Sequence, residues 1–377
     1  MPLVPFNHAS LSGRELDYIA QTVAVGELAG DNTFTRKCHK LLADLLGVYK
    51  VFLTPSCTHA LEMAALLLDI RAGDEVIVPS FTFVSTPLAF FQRGAKIVFA
   101  DIRSDTLNLD ESRLEALITP RTKAIVPVHY AGVACEMDEI LAIAGKHGVA
   151  VVEDNAHGLF GKYRGRWLGT LGCMATQSFH ATKNFTCGEG GALLVNHPRF
   201  SERAEIIREK GTDRSRFFRG QVDKYSWVDV GSSYLLGDVL AAYLYAQLEQ
   251  WQVIQETRKR IWHHYNDHLG DWAAIHGIRL PVIPAHCGQA YHMFYLLMPS
   301  LETRCQLIAH LKARGIESVF HYLPLHLSKM GVRHGGKPGD CPVTENISDR
   351  LLRLPFFNSL AESAQDRVVQ ALLEFSC

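Results

Sequence analysis

The stretch from residue 148 to residue 191 holds side chains spaced for chemistry. Gly148-Val149-Ala150-Val151-Val152-Glu153-Asp154 is an apolar, β-branched run ending in two acids, as a buried parallel strand that delivers a carboxylate would be. Asp154 then stands at the carboxyl end of a strand, where open α/β sheets take their ligands. His157 follows, and the chain has room for a short hairpin before a second strand, Ala175 to Phe179, brings Lys183 back over the sheet. A carboxylate held against a pyridine nitrogen keeps that nitrogen protonated, and the protonated ring is an electron sink for carbanion chemistry. His157 is placed to reach such a ring's phenolic oxygen. A lysine in an apolar pocket beside positive charge loses its proton more easily, as imine formation requires. Ser178 and the glycines Gly188, Gly190 and Gly191 flank it, small or hydroxylated residues that let a phosphate come close. Taken singly, these are a helix cap, a surface charge and a turn. In this order they point to a pyridoxal phosphate site.

A second constellation lies upstream. Val51-Phe52-Leu53-Thr54-Pro55-Ser56-Cys57-Thr58-His59-Ala60-Leu61-Glu62 is a short apolar strand, a hydroxyl-rich turn and an amphipathic helix that begins near Thr58. Unpaired N–H groups and the positive end of the helix dipole make Ser56, Cys57 and Thr58 a natural phosphate site, although Ser and Thr are also the usual N-caps. Asp74-Glu75-Val76-Ile77-Val78-Pro79-Ser80-Phe81-Thr82-Phe83 leads from a strand into a loop with two aromatics, either of which could stack on a pyridine ring or serve the core.

Such residues need a sheet to hold them. Helical patterns at 12–25, 33–46, 58–68, 112–117 and 136–146 alternate with apolar runs at 50–53, 75–78, 96–99, 124–128 and 150–152. That alternation predicts a mainly parallel sheet with helices on both faces. A long amphipathic pattern over 236–268 is expected to break near Glu249, dividing a large cofactor-binding domain (1–249) from a smaller C-terminal α/β domain (250–377) with strands near 290–297 and 319–322 and helices at 302–314 and 361–375. A length of 377 residues suits two domains, and 47% hydrophobic with 20% charged residues suits a globular chain.

A net charge of −1 gives no broad attraction to nucleic acid or anionic membrane, so phosphate recognition must be local. No apolar run approaches a membrane span, and Met1 to His8 lacks a basic flank and apolar core, so the expected location is the cytoplasm. Nine scattered cysteines without a C-x-x-C pair read as reduced thiols. His264 and His268 share a helix face, but no glutamate completes a zinc motif, so no metal is expected. The basic and aromatic segment Glu209 to Trp227 reads either as an exposed loop or as a lid or interface loop whose arginines, Arg219 being the candidate, would pair with a pyrophosphate.

The elements Pro55-Ser56-Cys57-Thr58-His59-Ala60-Leu61-Glu62, Val78-Pro79-Ser80-Phe81-Thr82-Phe83-Val84-Ser85-Thr86, Val128-His129-Tyr130-Ala131-Gly132, Val152-Glu153-Asp154-Asn155-Ala156-His157-Gly158 and Ser178-Phe179-His180-Ala181-Thr182-Lys183-Asn184 resemble, in order, the nucleotide-sugar aminotransferases of the DegT/DnrJ/EryC1/StrS family. So do His321-Tyr322-Leu323-Pro324-Leu325-His326 and Leu352-Arg353-Leu354-Pro355, and the likeness runs from about Pro5 to the C-terminal helix. It is nearest to the branch of sugar 4-transaminases that make dTDP-4-amino-4,6-dideoxy-D-galactose for enterobacterial common antigen.

The resemblance implies the aminotransferase fold of type I, a homodimer with shared active sites, and transfer from L-glutamate to a dTDP-4-keto-6-deoxyhexose. Lys183 would carry the cofactor and shuttle the proton, Asp154 would pair with the ring nitrogen, and His157 would touch the phenolic oxygen. Ser56, Cys57, Thr58 and Ser178 would hold the phosphate. Phe83 would stack on the ring, with Phe81 in reserve, and His129, Tyr322 and His326 would face the sugar. Two positions depart from the family pattern: Cys57 stands where glycine is usual, and Gly231-Ser232-Ser233-Tyr234-Leu235 puts Ser233 where an Asn would reach the neighbouring subunit's phosphate. Dehydratases of the family carry histidine at the lysine position, which Lys183 argues against. A ligand-sensing regulator is the rival reading, distinguished by an added DNA-binding module for which the resemblance leaves no room.

Overall fold

The computed structural model describes residues 2–376. Nine strands come from the first 200 residues: β1 (Lys50–Thr54), β2 (Glu75–Pro79), β3 (Lys96–Ala100), β4 (Thr122–Ile125), β5 (Ala150–Asp154), β6 (Lys162–Tyr163), β7 (Arg166–Trp167), β8 (Met174–Ser178) and β9 (Gly191–Val195). Seven of them form one sheet in the order β1-β9-β8-β5-β4-β2-β3. The pairs β3–β2, β2–β4, β4–β5 and β5–β8 are parallel, while β9 runs antiparallel to both β8 and β1. Every residue of β2 and β9 is buried, as expected of strands covered by helices on both faces. The turn from β8 to β9 carries no helix, so it can only fold the chain back antiparallel.

Register decides where the polar side chains emerge. Asp154 pairs with Thr176 across β5 and β8, and Ser178 pairs with Gly191 across β8 and β9. The ends of β5 and β8 and the start of β9 therefore lie side by side. Next to β9, Thr54 of β1 pairs with Gly191, which brings the Ser56–Thr58 turn to the same edge of the sheet. The fold fills the Asp154-to-Lys183 interval with the small β6–β7 hairpin and strand β8.

Beyond the sheet the helix Asp238–Glu249 ends at Gln250, and a second helix, Trp251–Ile275, sets off from it. Strand β10 (Cys287–Gly288) returns to pair with β6, and β11 (Tyr295–Leu297), β12 (Val319–Phe320) and β13 (Leu351–Arg353) form an antiparallel sheet with β13 in the centre. The helices Leu301–Ala313 and Glu362–Leu373 and the long helix enclose a core of Trp262, Tyr265, Phe294, Leu307 and Leu352. The first residues belong to this core too: Val4 is buried in it and its N–H donates to the Gly315 carbonyl at 2.8 Å.

Two local expectations differ from the structure. Residues 111–117 form two 3-10 turns instead of a helix, the segment being too short to propagate one. The helical pattern expected from 236 begins later. The helix starts at Asp238, whose buried carboxylate is already committed to the Phe34 and Thr35 N–H groups at 3.0 and 2.7 Å, where it caps the helix Thr33–Leu46.

Candidate active site

A cavity of about 690 Å³ opens between the carboxyl ends of β5 and β8 and the small sheet. Ser56, Cys57, Thr58, Phe83, Asp154, His157, Ser178, Lys183 and Tyr322 all line it. The helix N-terminus is built as its sequence suggests: Ser56 is extended and its hydroxyl accepts the His59 N–H at 3.2 Å. Cys57 is the first helical residue and has no positive φ, so a side chain is tolerated where the family usually has glycine. The strain falls on Gly191 instead. A Cβ there would sit 2.3–2.5 Å from the Ser56 carbonyl group and the Cys57 nitrogen, so only glycine lets β9 pass under the turn.

Asp154 is buried at the end of β5. Its carboxylate accepts the Thr86 hydroxyl at 2.7 Å and the Ala156 N–H at 3.2 Å. Burial raises its pKa above the ordinary carboxylate range, with the Thr86 hydrogen bond the main opposing influence. Burial acts in the other direction on Lys183 and lowers its amine to about 8; Cys57 and Asp154 resist that shift, while the positive charge of Arg353 adds to it. The result is an amine that is partly neutral near neutral pH.

Around these two stand three histidines. His157 stacks on His292 with ring centroids 4.2 Å apart and planes 15° from parallel, and His321 lies 6.2 Å from His157. Burial drives all three well below the usual histidine pKa, so they are neutral rings. Asn184 donates through its amide nitrogen to Ala290, so its oxygen accepts at 2.8 Å from His292 Nδ1, which carries that ring's proton. His157 Nδ1 is buried with no partner, a polar atom left for a ligand. Phe83 is 58% exposed, with its ring 6.4 Å from Tyr322 across the mouth.

Other expected residues lie elsewhere. His129 is fully buried: its Nδ1 accepts the Cys135 N–H, so Nε2 donates to Glu153 at 2.9 Å. Glu153 also accepts the N–H groups of Gly169, Leu171 and Gly172, which makes the pair an internal brace for that loop and not a sugar contact. His326 is likewise turned inward, bonded to Ser80 Oγ at 2.6 Å and to Glu345 at 3.0 Å, and pins its loop to the end of β2. Phe81 is a core residue packed on Tyr130. Arg219 is bound to Glu205 at 2.8 Å outside the cavity, and Arg214 and Arg216 also meet acids. Ser233 is exposed and outside the lining of this single chain.

Sequence reasoning passed over four residues that the cavity gathers: Thr86, His292, His321 and Arg353. Thr86, His321 and Arg353 were within stretches already singled out, but nothing in one dimension shows that Thr86 reaches Asp154 or that Arg353 faces the site. His292 had no signal.

The donor set fits pyridoxal phosphate: a depressed lysine and a buried carboxylate in one cavity, an unpaired buried ring nitrogen in its lining, and a helix N-terminus with hydroxyls at its edge. Among the described residues no helix is long and apolar enough to cross a membrane and no cluster suits a metal ion.

Comparison with known proteins agrees. The profile of the DegT/DnrJ/EryC1/StrS aminotransferase family matches residues 10–373. The spore coat polysaccharide biosynthesis protein SpsC of Bacillus subtilis is 32% identical over 377 residues, covering 98% of this chain and 96% of its own. The crystal structure of the aminotransferase TlmJ from Streptoalloteichus hindustanus superposes with a TM-score of 0.90 at 29% identity, covering 98% of both chains. The PLP form of the putative sugar aminotransferase Spr1654 from Streptococcus pneumoniae gives 0.90 at 25% identity, over 98% of this chain and 97% of that one.

Proposed function

Because this chain belongs to the DegT/DnrJ/EryC1/StrS aminotransferase family, and is a pyridoxal phosphate-dependent sugar aminotransferase of fold type I, we propose that it moves the amino group of L-glutamate to a dTDP-4-keto-6-deoxyhexose. The substrate is dTDP-4-keto-6-deoxy-D-glucose and the product dTDP-4-amino-4,6-dideoxy-D-galactose. The observation that carries the reaction is the pairing of Lys183 and Asp154 in one cavity, with the amine at about 8. The choice of sugar rests on the sequence resemblance, to which the Ser56-Cys57-Thr58 turn and Ser233 contribute.

When bound, the cofactor supplies a cationic ring that draws electrons from the carbon bearing the amine. Asp154, anchored by Thr86, would set a negative charge at the ring nitrogen. Ser56, Cys57, Thr58 and Ser178 would hold the phosphate with hydroxyls and the free N–H groups of the helix N-terminus. His157, whose buried Nδ1 has no protein partner, would meet the ring's oxygen, and Phe83, which lines the cavity, would stack on the ring. Lys183 Nζ, neutral in part at pH 7, takes the proton from the donor's α-carbon and later delivers one to the sugar carbon. Tyr322 stands at the sugar's entry.

Two domains, 1–249 and 250–377, meet over this cavity in the proposal, and two chains share their sites as a homodimer. Ser233 and the Arg219 segment then serve the partner's cavity and not their own. Incubation with L-glutamate and a panel of dTDP- and UDP-ketosugars, with the product read by mass spectrometry and NMR, tests the reading. Amination of a UDP-sugar alone would overturn the sugar assignment, and no 2-oxoglutarate with any acceptor would overturn the reaction.

A further inference from the structure

A second cavity, of about 400 Å³, shares no lining residue with the catalytic one. It forms where the β6–β7 hairpin and β10 meet the first turns of the helix Trp251–Ile275. Trp251 lies on Phe160 with ring centroids 4.7 Å apart, and Trp167 stands edge-on to Trp251 at 6.1 Å. Lys162 holds its ammonium 4.1 Å above the Trp167 ring and meets no carboxylate among the described residues. Glu256, the one acid of the lining, lies 3.8 Å from Lys259, which leaves Lys162 as the uncompensated charge. The amides are open as well: Gln289 is only 9% exposed yet its side chain makes no hydrogen bond among the described residues, and Gln255 Oε1 is buried without a partner. Two walls are strained, since Phe160 and Tyr291 hold φ at 64° and 51°, a left-handed backbone that bulky residues avoid. Indole rings, free amides and an unpaired ammonium in one pocket match a flat heterocycle that carries an anion.

We propose that this pocket is a second ligand site, for a nucleoside diphosphate, with the base stacked on Trp251, its edge met by Gln255 and Gln289, and the phosphates on Lys162. A neutral sugar would leave Lys162 unpaired, and inorganic phosphate would leave the rings uncovered. Occupancy of the pocket is transmitted to the reaction centre through its walls. Phe160 follows His157 by three residues and stands edge-on, at 5.2 Å, to Phe185, which is two residues past Lys183. Tyr291 immediately precedes His292, and His157 and His292 are the stacked pair of the catalytic cavity. Arg258, on the same helix as Trp251 and Gln255, donates to the Tyr291 and His292 carbonyls at 2.8 and 2.6 Å. A ligand that shifts the start of this helix or the Phe160 ring therefore shifts the two histidines, which couples the sites. Any group transfer that consumes a sugar nucleotide leaves a nucleoside diphosphate, so the pocket would report use of the product; that role rests on the sugar-nucleotide reading above, whereas the binding site does not.

The test uses the cofactor-loaded protein with dTDP as probe, and thymidine, inorganic phosphate and methyl glucoside for comparison. dTDP should quench tryptophan fluorescence, a signal of this pocket because Trp167 and Trp251 line it and no tryptophan lines the catalytic cavity. Lys162→Met should weaken that binding by about 10- to 100-fold, the worth of charge-assisted hydrogen bonds. Trp251→Ala should weaken it by a similar factor in calorimetry, and Trp251→Phe, which keeps a ring, should bind near the parent's strength. If the alanine variant does not fold, Lys162→Met carries the test. In steady state dTDP should lower kcat as well as compete with the ketosugar nucleotide, and in Lys162→Met it should only compete. No quenching in the parent, or affinity indifferent to both substitutions, would overturn the proposal, as would thymidine, phosphate or methyl glucoside binding as tightly as dTDP. Dissociation of an oligomer by Trp251→Ala with no quenching in the parent would give this face to a second copy of the chain instead. Purely competitive inhibition in the parent would overturn the coupling. A parent that aminates no ketosugar would refute the sugar-transaminase reading, and fluorescence and calorimetry would still decide the pocket.

Discussion

The pH dependence of cofactor uptake follows directly from the burial of Lys183. Only the neutral amine attacks the cofactor's aldehyde, so the rate follows the neutral fraction. With the amine at about 8, about one molecule in ten is neutral at pH 7. An ordinary lysine near 10.5 leaves roughly three in ten thousand, so the fold speeds uptake about 300-fold at that pH. Apoprotein mixed with pyridoxal phosphate in a stopped-flow instrument, over pH 6 to 10 and normalised to a simple amine so that the cofactor's own titration cancels, should show a rate that climbs to about pH 8 and then levels. Arg353→Met should move the inflection upward by removing a repelling charge, and Asp154→Asn should move it downward by removing an attracting one. A rate still climbing at pH 10 would refute the argument. The same shift acts on stability. The folded chain binds fewer protons than the unfolded one between about pH 8 and 10.5, so the apoprotein should gain stability with rising pH across that window, the penalty being greatest below it.

Three substitutions probe the framework. Thr86→Val removes the 2.7 Å hydrogen bond to Asp154 and should weaken cofactor binding by about 1.5–3 kcal/mol in equilibrium dialysis; an unchanged Kd would deny Thr86 its positioning role. Gly191→Ala forces a methyl group against the backbone at Ser56 and Cys57, and should lower the Tm and cost about 1–3 kcal/mol, with inorganic phosphate binding lost alongside; a protein as stable as the parent would contradict the tight crossing. Glu153→Ala strands three loop N–H groups and His129, and should cost at least about 3 kcal/mol in urea unfolding, with kcat per folded enzyme near the parent's; a fall in kcat without loss of stability would restore His129 to the site.

Much of this was legible in one dimension where the local pattern and the tertiary role coincide. The apolar run into Asp154 is a buried strand because nothing but a covered parallel strand suits Val151 and Val152, and its end carries the carboxylate into the cavity. The Ser56 turn is a helix start for reasons of capping alone. His129 and His326 show where the reasoning fails. Each lies in a stretch bordering the site, but a side chain's direction depends on partners far along the chain, Glu153 for one and Ser80 with Glu345 for the other. Arg353 fails in the opposite sense: a strand residue near the C-terminus becomes visible only once β13 is set in the middle of its sheet, lining the cavity that holds Lys183. Phe81 and Phe83, two residues apart, could not be told apart until the loop after β2 turned one into the core and left the other at the mouth.

The central claim is that Lys183 carries a proton between an amino donor and a sugar in the cavity it shares with Asp154. Heavy-nitrogen L-glutamate incubated with the protein and dTDP-4-keto-6-deoxy-D-glucose tests it most directly, with the sugar nucleotide and 2-oxoglutarate quantified by mass spectrometry. The account predicts label in the sugar nucleotide, one 2-oxoglutarate for each labelled sugar, and neither product with Lys183→Ala. Labelled sugar formed at the parent's rate by the alanine variant would contradict it.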